Sequence, residues 1–299
     1  MAIQGPWTHE QAVVGDVRLH YVTAGDEGDP LVVLLHGFPE FWYSWRHQIP
    51  ALAESAFRVV APDMRGYNTS EKPRGVSNYR MEALVGDVVG LVDHLGAESA
   101  SIVGHDWGGG VAWETAMRQP EIVDRLAVLN APHTGRFRES LRHDPEQMGR
   151  SLYMLYFQLP WLPEFTLGVR DCAGVAEMLR RTSRPGTFDE TDLRRYREAA
   201  CRPGALTGGL NYYRALARKV LQTEVRGLVG GGRHESLDVL VPTLLIWGEQ
   251  DDALGVELTE GLERWVPDLR VERIPDATHW VQNDAPKRVT DHLTTFLTD

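Results

Sequence analysis

One short stretch limits what this chain can fold into more than any other. Ser99-Ala100-Ser101-Ile102-Val103 is a compact run of small and β-branched residues, and Val111 to Ala116 has the composition of a helix. Between them stands Gly104-His105-Asp106-Trp107-Gly108. Glycines on both sides of one central residue mark a strand-to-helix turn too sharp to admit side chains beside it. Such an elbow strains the backbone of its central residue and lifts that side chain to the top of a sheet. The strand before it needs parallel neighbours, and the helix after it needs a sheet face to cover. The lifted residue is usually Ser; here it is Asp106. Taken alone, Asp ahead of a glycine-rich segment is also an ordinary helix N-cap. The remainder of the chain has to decide between the two.

The flanking sequence supplies the neighbours. Val13 to Val22 alternates in polarity and predicts an early antiparallel strand, followed by a turn over Gly25 to Pro30. Leu31 to Leu35 is continuously apolar, as expected of a strand buried on both faces, and Phe57 to Asp63 reads as another. Met81 to Leu95 carries apolar residues at helical spacing, with Gly96 as its C-cap. The elbow helix runs to Arg118, and Ile122 to Leu129 is a further strand. This alternation implies an α/β fold, with a mostly parallel central sheet and helices on both faces. From Thr134 the pattern changes. Gly149 to Gln158, Gly174 to Arg181, Glu190 to Ala200 and Gly209 to Ala217 read as helices, and Gly227 to Gly232 as a loop. Strands resume at Val241 to Gly248 and Leu269 to Ile274, with helices at Val256 to Val266 and Lys287 to Leu297. The simplest organisation is a core of residues 1–133 and 238–299 with an inserted helical lid, residues 134–237. A lid placed there covers the carboxyl ends of the strands, where such sheets bind ligands.

Composition narrows the classes. A chain of 299 residues with 42% hydrophobic and 24% charged content is an ordinary globular balance. A formal net charge of −11 argues against nucleic acid, which needs a basic face, and against an anionic membrane surface. Cys172 and Cys201 are the only cysteines; they permit a disulfide, but two free thiols fit a cytosolic protein better. The N-terminal segment lacks the basic and apolar regions of a leader, and no apolar run has the length of a membrane span. A cytoplasmic localisation is expected. Oligomeric state is open, and a homodimer is compatible with the sequence.

Residues just past the proposed strand ends carry the chemistry. They are His36-Gly37-Phe38-Pro39, Asp63, Asp106, Asn130, Glu249-Gln250-Asp251-Asp252 and Thr278-His279-Trp280. In chain order they give a nucleophile candidate, an acid and a histidine: Asp106, Asp251 and His279. Serine needs a base before it can attack. A carboxyl group with an ordinary pKa of about 3.9 is already ionised at neutral pH. Asp106 is therefore suited to attack an sp3 carbon and form an alkyl ester, which water activated by His279 then hydrolyses, with Asp251 orienting the histidine. The oxyanion of that second step requires backbone N–H donors. Trp107, next after the nucleophile, supplies one, and Phe38 is the best placed to supply the other. No metal-ligand spacing and no phosphate loop is found, and the reaction needs no cofactor.

His36-Gly37-Phe38-Pro39-Glu40, Asp63-Met64-Arg65-Gly66-Tyr67, Gly104-His105-Asp106-Trp107-Gly108-Gly109 and the Asp251/His279 pair resemble the epoxide hydrolases of the α/β-hydrolase superfamily. The resemblance spans almost the whole chain. It implies the α/β-hydrolase fold, a small-molecule epoxide as substrate, and two lid tyrosines that donate hydrogen bonds to the epoxide oxygen. Leu210-Asn211-Tyr212-Tyr213-Arg214 resembles the family's Asn-Trp-Tyr-Arg segment and puts one such role on Tyr213. Leu152-Tyr153-Met154-Leu155-Tyr156 resembles the other lid segment and puts the second on Tyr153, with Tyr156 as the alternative. The physical need is plain, because ring opening creates an alkoxide that requires a proton. Trp42, Tyr43 and Trp45 either line the pocket or pack. Asp63 and His105 are read as structural support, Glu40 and Arg65 as local hydrogen-bonding or ion-pair partners. A haloalkane dehalogenase would share the same three residues. It would prefer N–H donors to the halide, often with Asn where Phe38 stands, and a fluoroacetate dehalogenase would carry Arg where Trp107 stands. A non-catalytic binding protein of this fold would usually lack one of the three.

Overall fold

A computed structural model describes residues 3–228 and 236–299. The strands are β1 (Thr8–Val14), β2 (Val17–Ala24), β3 (Leu31–Leu35), β4 (Arg58–Pro62), β5 (Ala100–His105), β6 (Val123–Leu129), β7 (Thr243–Gly248) and β8 (Leu269–Ile274). They form one eight-stranded sheet in the order β1-β2-β4-β3-β5-β6-β7-β8. β1 and β2 are antiparallel, and β2 meets β4 antiparallel; every later pairing is parallel. The central strands β3, β5 and β7 are buried along their whole length, which is why β3 and Leu244 to Trp247 of β7 read as unbroken apolar runs and Ala100 to Val103 of β5 as small and β-branched residues. β8, at the sheet edge, is half-exposed and carries charge.

Around the sheet lie α1 (Gln48–Glu54), α2 (Met81–His94), α3 (Trp107–Arg118), α10 (Val281–Asp284) and α11 (Pro286–Thr298). Between β6 and β7 the described residues hold helices only: α4 (Thr134–His143), α5 (Pro145–Arg150), α6 (Tyr153–Tyr156), α7 (Leu162–Thr182), α8 (Glu190–Ala200) and α9 (Ala205–Leu228). This segment is tied down onto the strand-end loops. Tyr43 Oη donates to Asp192 Oδ1 at 2.9 Å, Arg202 Nε to Asn68 Oδ1 at 2.8 Å, and Arg150 to the Asp251 carbonyl at 2.8 Å.

Four expectations need correction. The single early strand is a hairpin, because Gly15 at φ 55° lets the chain reverse between Val14 and Val17. A short helix, α1, stands between β3 and β4 where none was expected; its one buried apolar stripe is Ile49 and Leu52, too short to show a period. The helix expected over Val256 to Val266 is only a 3-10 turn, Val256–Thr259. Leu258, Leu262 and Val266 are buried at helical spacing, but Glu260 is extended and Gly261 has φ 67°, which breaks the run. The loop expected over Gly227 to Gly232 lies, from Val229 onward, outside the described residues.

The fourth correction concerns the cysteines. Cys172 and Cys201 form a disulfide, with Cα atoms 5.8 Å apart. α7 is not continuous: Arg170, Asp171 and Cys172 have φ of 52°, 55° and 57°, a left-handed turn that non-glycine residues adopt only when the surroundings impose it. Arg197 of α8 donates to the carbonyls of Asp171 (2.8 Å) and Arg170 (3.1 Å), and the turn points Cys172 at the residue that ends α8. Spacing along two separate helices carries no trace of this meeting. Closing 29 residues is worth about 3.6 kcal/mol in the chain-entropy account. Denatured protein is therefore expected to show no thiol before reduction and two after it, and Cys201→Ser to lower the unfolding free energy by about that amount in urea titration. Two thiols in the unreduced protein would contradict the pairing.

Candidate active site

The elbow is built as its glycines require. Asp106 sits between β5 and α3 at φ 50°, ψ −118°. A Cβ on Gly104 would stand 2.3 Å from the Gly108 carbonyl oxygen, and one on Gly108 2.2 Å from that of Leu35. Such distances leave no room for any side chain. Gly37 packs as closely on the nucleophile candidate, since its Cβ would fall 2.5 Å from that of Asp106. The Asp106 carboxylate is not spent on capping α3. Instead Oδ1 accepts the Phe38 N–H at 2.8 Å. That loop is held by His36, whose Nδ1–H faces the Gly37 carbonyl (2.8 Å) and whose Nε2 accepts from the Met64 N–H (3.0 Å). Burial, foremost, pushes the His36 pKa down and keeps it in this neutral form. Trp107, the residue after Asp106, opens α3.

The other two residues arrive from β7 and β8. His279 Nε2 lies 3.6 Å from Asp106 Oδ2, and His279 Nδ1 lies 2.7 Å from Asp251 Oδ2. Asp251 is fully engaged: Asn130 Nδ2 donates to Oδ2 (2.8 Å), and the N–H groups of Ala253 (2.8 Å) and Leu254 (3.0 Å) donate to Oδ1. Burial alone would raise the Asp251 carboxyl, but the charge and hydrogen bond of His279, with Asn130 and the Ala253 N–H, hold it below its usual range. Burial would likewise lower His279. Asp251 and Asp106 outweigh it and raise the imidazole well above its ordinary value. Asn130 bridges β6 and β7, accepting the Gly248 N–H at 2.8 Å while it holds Asp251.

Behind His279 runs a buried chain that sequence reading left as local support. His105 Nδ1 lies 2.7 Å from Glu40 Oε2, and His105 Nε2 lies 2.8 Å from the His279 carbonyl. Glu40 also accepts the Gly37 N–H (3.0 Å), the Ser44 hydroxyl, and Gln282 Nε2 (3.0 Å). Burial raises its carboxyl, and His105, Ser44 and the Gly37 N–H bring it down to about 2. One charge therefore braces both the Phe38 loop and the backbone of His279. Glu40 and His105 stand inside the motifs already singled out, so a signal for them existed. Ser44 and Gln282 had none. Asp63 accepts from Trp42 N–H (3.2 Å) and Asn68 (2.8 Å) and faces His20 (2.7 Å), while Arg65 pairs with Asp87 (2.5 Å). These match the supporting roles expected of them.

Two tyrosines of the inserted helical segment pack near the same place. The Tyr213 ring packs edge-on against Trp107 (4.9 Å between centroids) and Phe38 (5.6 Å), the two residues that flank the Asp106 carboxylate. Tyr153 packs against Tyr213 at 6.1 Å. Burial first, then the negative charge of Asp106, pushes both hydroxyls far above the usual tyrosine range, so both remain protonated donors. Tyr156 does not share this setting. Its hydroxyl is bound to Thr166 and to the Leu162 carbonyl (3.4 Å). Trp42 is buried among Trp7, His9, Phe41 and Tyr43, in packing behind the Phe38 loop.

A parallel sheet, an elbow bearing a carboxylate, a histidine–carboxylate pair at later strand ends and a helical insertion define a hydrolase-type architecture. The chain belongs to the α/β-hydrolase family: residues 30–286 match the family described as the alpha/beta hydrolase fold. It is 39% identical to "AB hydrolase superfamily protein YfhM" of Bacillus subtilis over 94% of each chain. It is also 39% identical to human "Epoxide hydrolase 4", over 94% of this chain and 76% of that one. Among solved structures, an epoxide hydrolase of Bacillus megaterium bound to an inhibitor superposes with a TM-score of 0.85 at 32% identity, covering 97% of this chain and 100% of that one. "Epoxide Hydrolase A" of Mycobacterium thermoresistibile gives a TM-score of 0.82 at 34% identity over 98% of both.

The electrostatics yield a test. Asp106 is one of the two charges that raise His279, so removing it should lower the histidine. In Asp106→Asn the His279 imidazole should titrate below its wild-type value, followed by NMR. An unchanged or higher titration point would contradict the coupling.

Proposed function

We propose that this protein is an epoxide hydrolase converting an epoxide and water to a vicinal diol through an alkyl ester on Asp106. The observation that carries the reading is the pair of protonated lid tyrosines, Tyr153 and Tyr213, packed beside the Asp106 carboxylate. Phenol donors suit an alkoxide that needs a proton; a departing halide needs none. The named relatives support the same chemistry.

In this reading Oδ2 of Asp106 attacks a ring carbon while Oδ1 stays on the Phe38 N–H. The carbon–oxygen bond of the ring breaks, and a tyrosine gives its proton to the alkoxide. The ester no longer carries the Asp106 charge. One of the two groups that raised His279 is thereby lost, so the imidazolium releases its proton to solvent and stands as the neutral base for the second step, regaining it when the Asp106 carboxylate is restored. It takes a proton from water, and the hydroxide adds to Cγ of Asp106. The oxyanion on Oδ1 is met by the N–H groups of Phe38 and Trp107. Collapse expels the second diol oxygen, which takes the proton held by His279; the proton left on the Asp106 carboxyl restores the tyrosine. Asp251 keeps the imidazole oriented throughout. Residues 134–237 act as the lid over this site. An active homodimer and a cytoplasmic setting are compatible with the mechanism, although the Cys172–Cys201 disulfide is a pairing more usual outside the reducing cytosol.

Assay against styrene oxide-type epoxides, 1-bromoalkanes and fluoroacetate tests the reaction: diol from the epoxides is expected, and halide release without diol would overturn it. A single turnover in 18O-water tests the route. The label should enter Asp106 and be absent from the first diol. His279→Gln should let the alkyl-enzyme accumulate, with turnover reduced on the order of 10²-fold or more; a variant that turns over normally would remove His279 from the mechanism.

A further inference from the structure

The stretch of α9 from Gly208 to Tyr213, nearly two turns, meets the core, and at Gly208 almost nothing stands between the two backbones. A Cβ on Gly208 would stand 2.5 Å from the Gly66 carbonyl oxygen and 2.7 Å from its Cα. Gly66 itself has φ 91°, and a Cβ there would stand 3.1 Å from the Gly208 Cα. Neither side is free to retreat. The Gly66 N–H is held by the Glu71 carbonyl (2.9 Å) and the Gly208 N–H by that of Gly204 (2.8 Å). One residue on, a Cβ on Gly209 would fall 2.7 Å from the Phe38 ring.

The same stretch is then pinned by a single hydrogen bond. Tyr212 Oη donates to the Arg65 carbonyl at 2.8 Å, and its ring packs on Tyr67, Tyr79 and Trp107. The acceptor is itself fixed, because the buried Arg65 guanidinium is clamped by both oxygens of Asp87 (2.5 and 2.6 Å) and by Asp16 (3.1 Å). Tyr213 follows directly, with its ring on Phe38 and Trp107. Tyr212 occupies the place of Trp in the Asn-Trp-Tyr-Arg segment that this stretch resembles, so the hydroxyl that reaches Arg65 is this chain's own.

We infer that Tyr212 is a positioning residue for ring opening: its bond to the Arg65 carbonyl, together with the Gly66–Gly208 backbone contact, sets where the Tyr213 hydroxyl stands relative to Asp106. The inference rests on the epoxide hydrolase reading. It acts on one half-reaction only, because ester hydrolysis is carried by His279, Asp251 and the backbone N–H groups of Phe38 and Trp107, which the core fixes; α9 meets those last two residues through their rings. Displacement of a reacting group by about 1 Å costs on the order of 10²-fold in rate.

The test is a single-turnover experiment that resolves formation and breakdown of the Asp106 ester by rapid quench, with a styrene oxide-type epoxide. Tyr212→Phe keeps the ring and removes the hydroxyl. It should slow ester formation on the order of tenfold, the worth of one buried hydrogen bond, and leave ester breakdown unchanged. Gly208→Ala should slow formation on the order of 10²-fold, again with normal breakdown. Crystal structures of wild type and Tyr212→Phe give a readout independent of substrate: the Tyr213 Oη to Asp106 separation should change, by less than the roughly 1 Å that a 10²-fold loss requires. Equal slowing of both halves, or a Tyr213 that stays in place, overturns the inference. If the wild type forms no ester from any epoxide, the functional reading fails on that result alone, and the two crystal structures still decide the positioning claim. If Tyr212→Phe does not fold, Gly208→Ala decides through the same two readouts.

Discussion

The hydrogen bond from the Phe38 N–H to Asp106 Oδ1 is the contact around which the site is arranged. It joins the loops after two neighbouring parallel strands, and it depends on their close approach, Gly108 against the Leu35 and His36 carbonyls and Gly37 against the Asp106 side chain. It also sorts the two carboxylate oxygens. Oδ1 is bound to a backbone N–H donor; Oδ2 faces His279. A residue that would otherwise be a helix cap thereby becomes an oriented nucleophile, at the cost of a strained backbone at Asp106. The strain is held by β5 on one side and α3 on the other, both buried.

Electrostatics extends from that contact in two directions. In front, His279 is shared by two carboxylates, and chemistry on one of them changes the base available for the next step. Behind, Glu40 binds the Gly37 N–H and His105 at once, and His105 reaches the His279 carbonyl. One buried anion thus fixes the relative placement of the Phe38 loop and the histidine loop. Removing it would leave His105 and the Gly37 N–H without their acceptor in a dry interior, a costlier change than the loss of an exposed ion pair.

The core of this arrangement was legible in the sequence because its periods are local. Leu31 to Leu35 and Leu244 to Trp247 are unbroken apolar runs, Ala100 to Val103 is small and β-branched, and polar residues follow each of them. The order Asp106, Asp251, His279 could therefore be read off strand ends. What was not legible depends on meetings between distant segments. The hairpin turned on a left-handed Gly15 inside an alternating run. The Val256 to Val266 segment has helical spacing of buried residues but is broken by the conformations of Glu260 and Gly261. The disulfide depends on a left-handed turn in α7 that no residue type there announces. Tyr153 and Tyr156 are one helical turn apart, and only the contacts of each hydroxyl separate the one beside Tyr213 from the one bound to Thr166.

The division of labour between core and lid follows from this. An aspartate at the elbow, with its histidine and acid, commits the site to attack on a saturated carbon and to hydrolysis of the resulting ester. It does not choose between an epoxide and a halide. In the proposed reading that choice is made by what packs beside Asp106, here two phenols presented by α6 and α9. Among the contacts that hold them are a glycine contact at Gly66 and Gly208, one hydroxyl on the Arg65 carbonyl, Arg202 on Asn68, and Arg150 on the Asp251 carbonyl. A rigid sheet can carry the invariant half of the chemistry, since both steps use the same carboxylate. The half that selects the leaving group sits on a segment that can be re-registered by a methyl group, so substrate class can change through lid contacts while the elbow stays as it is.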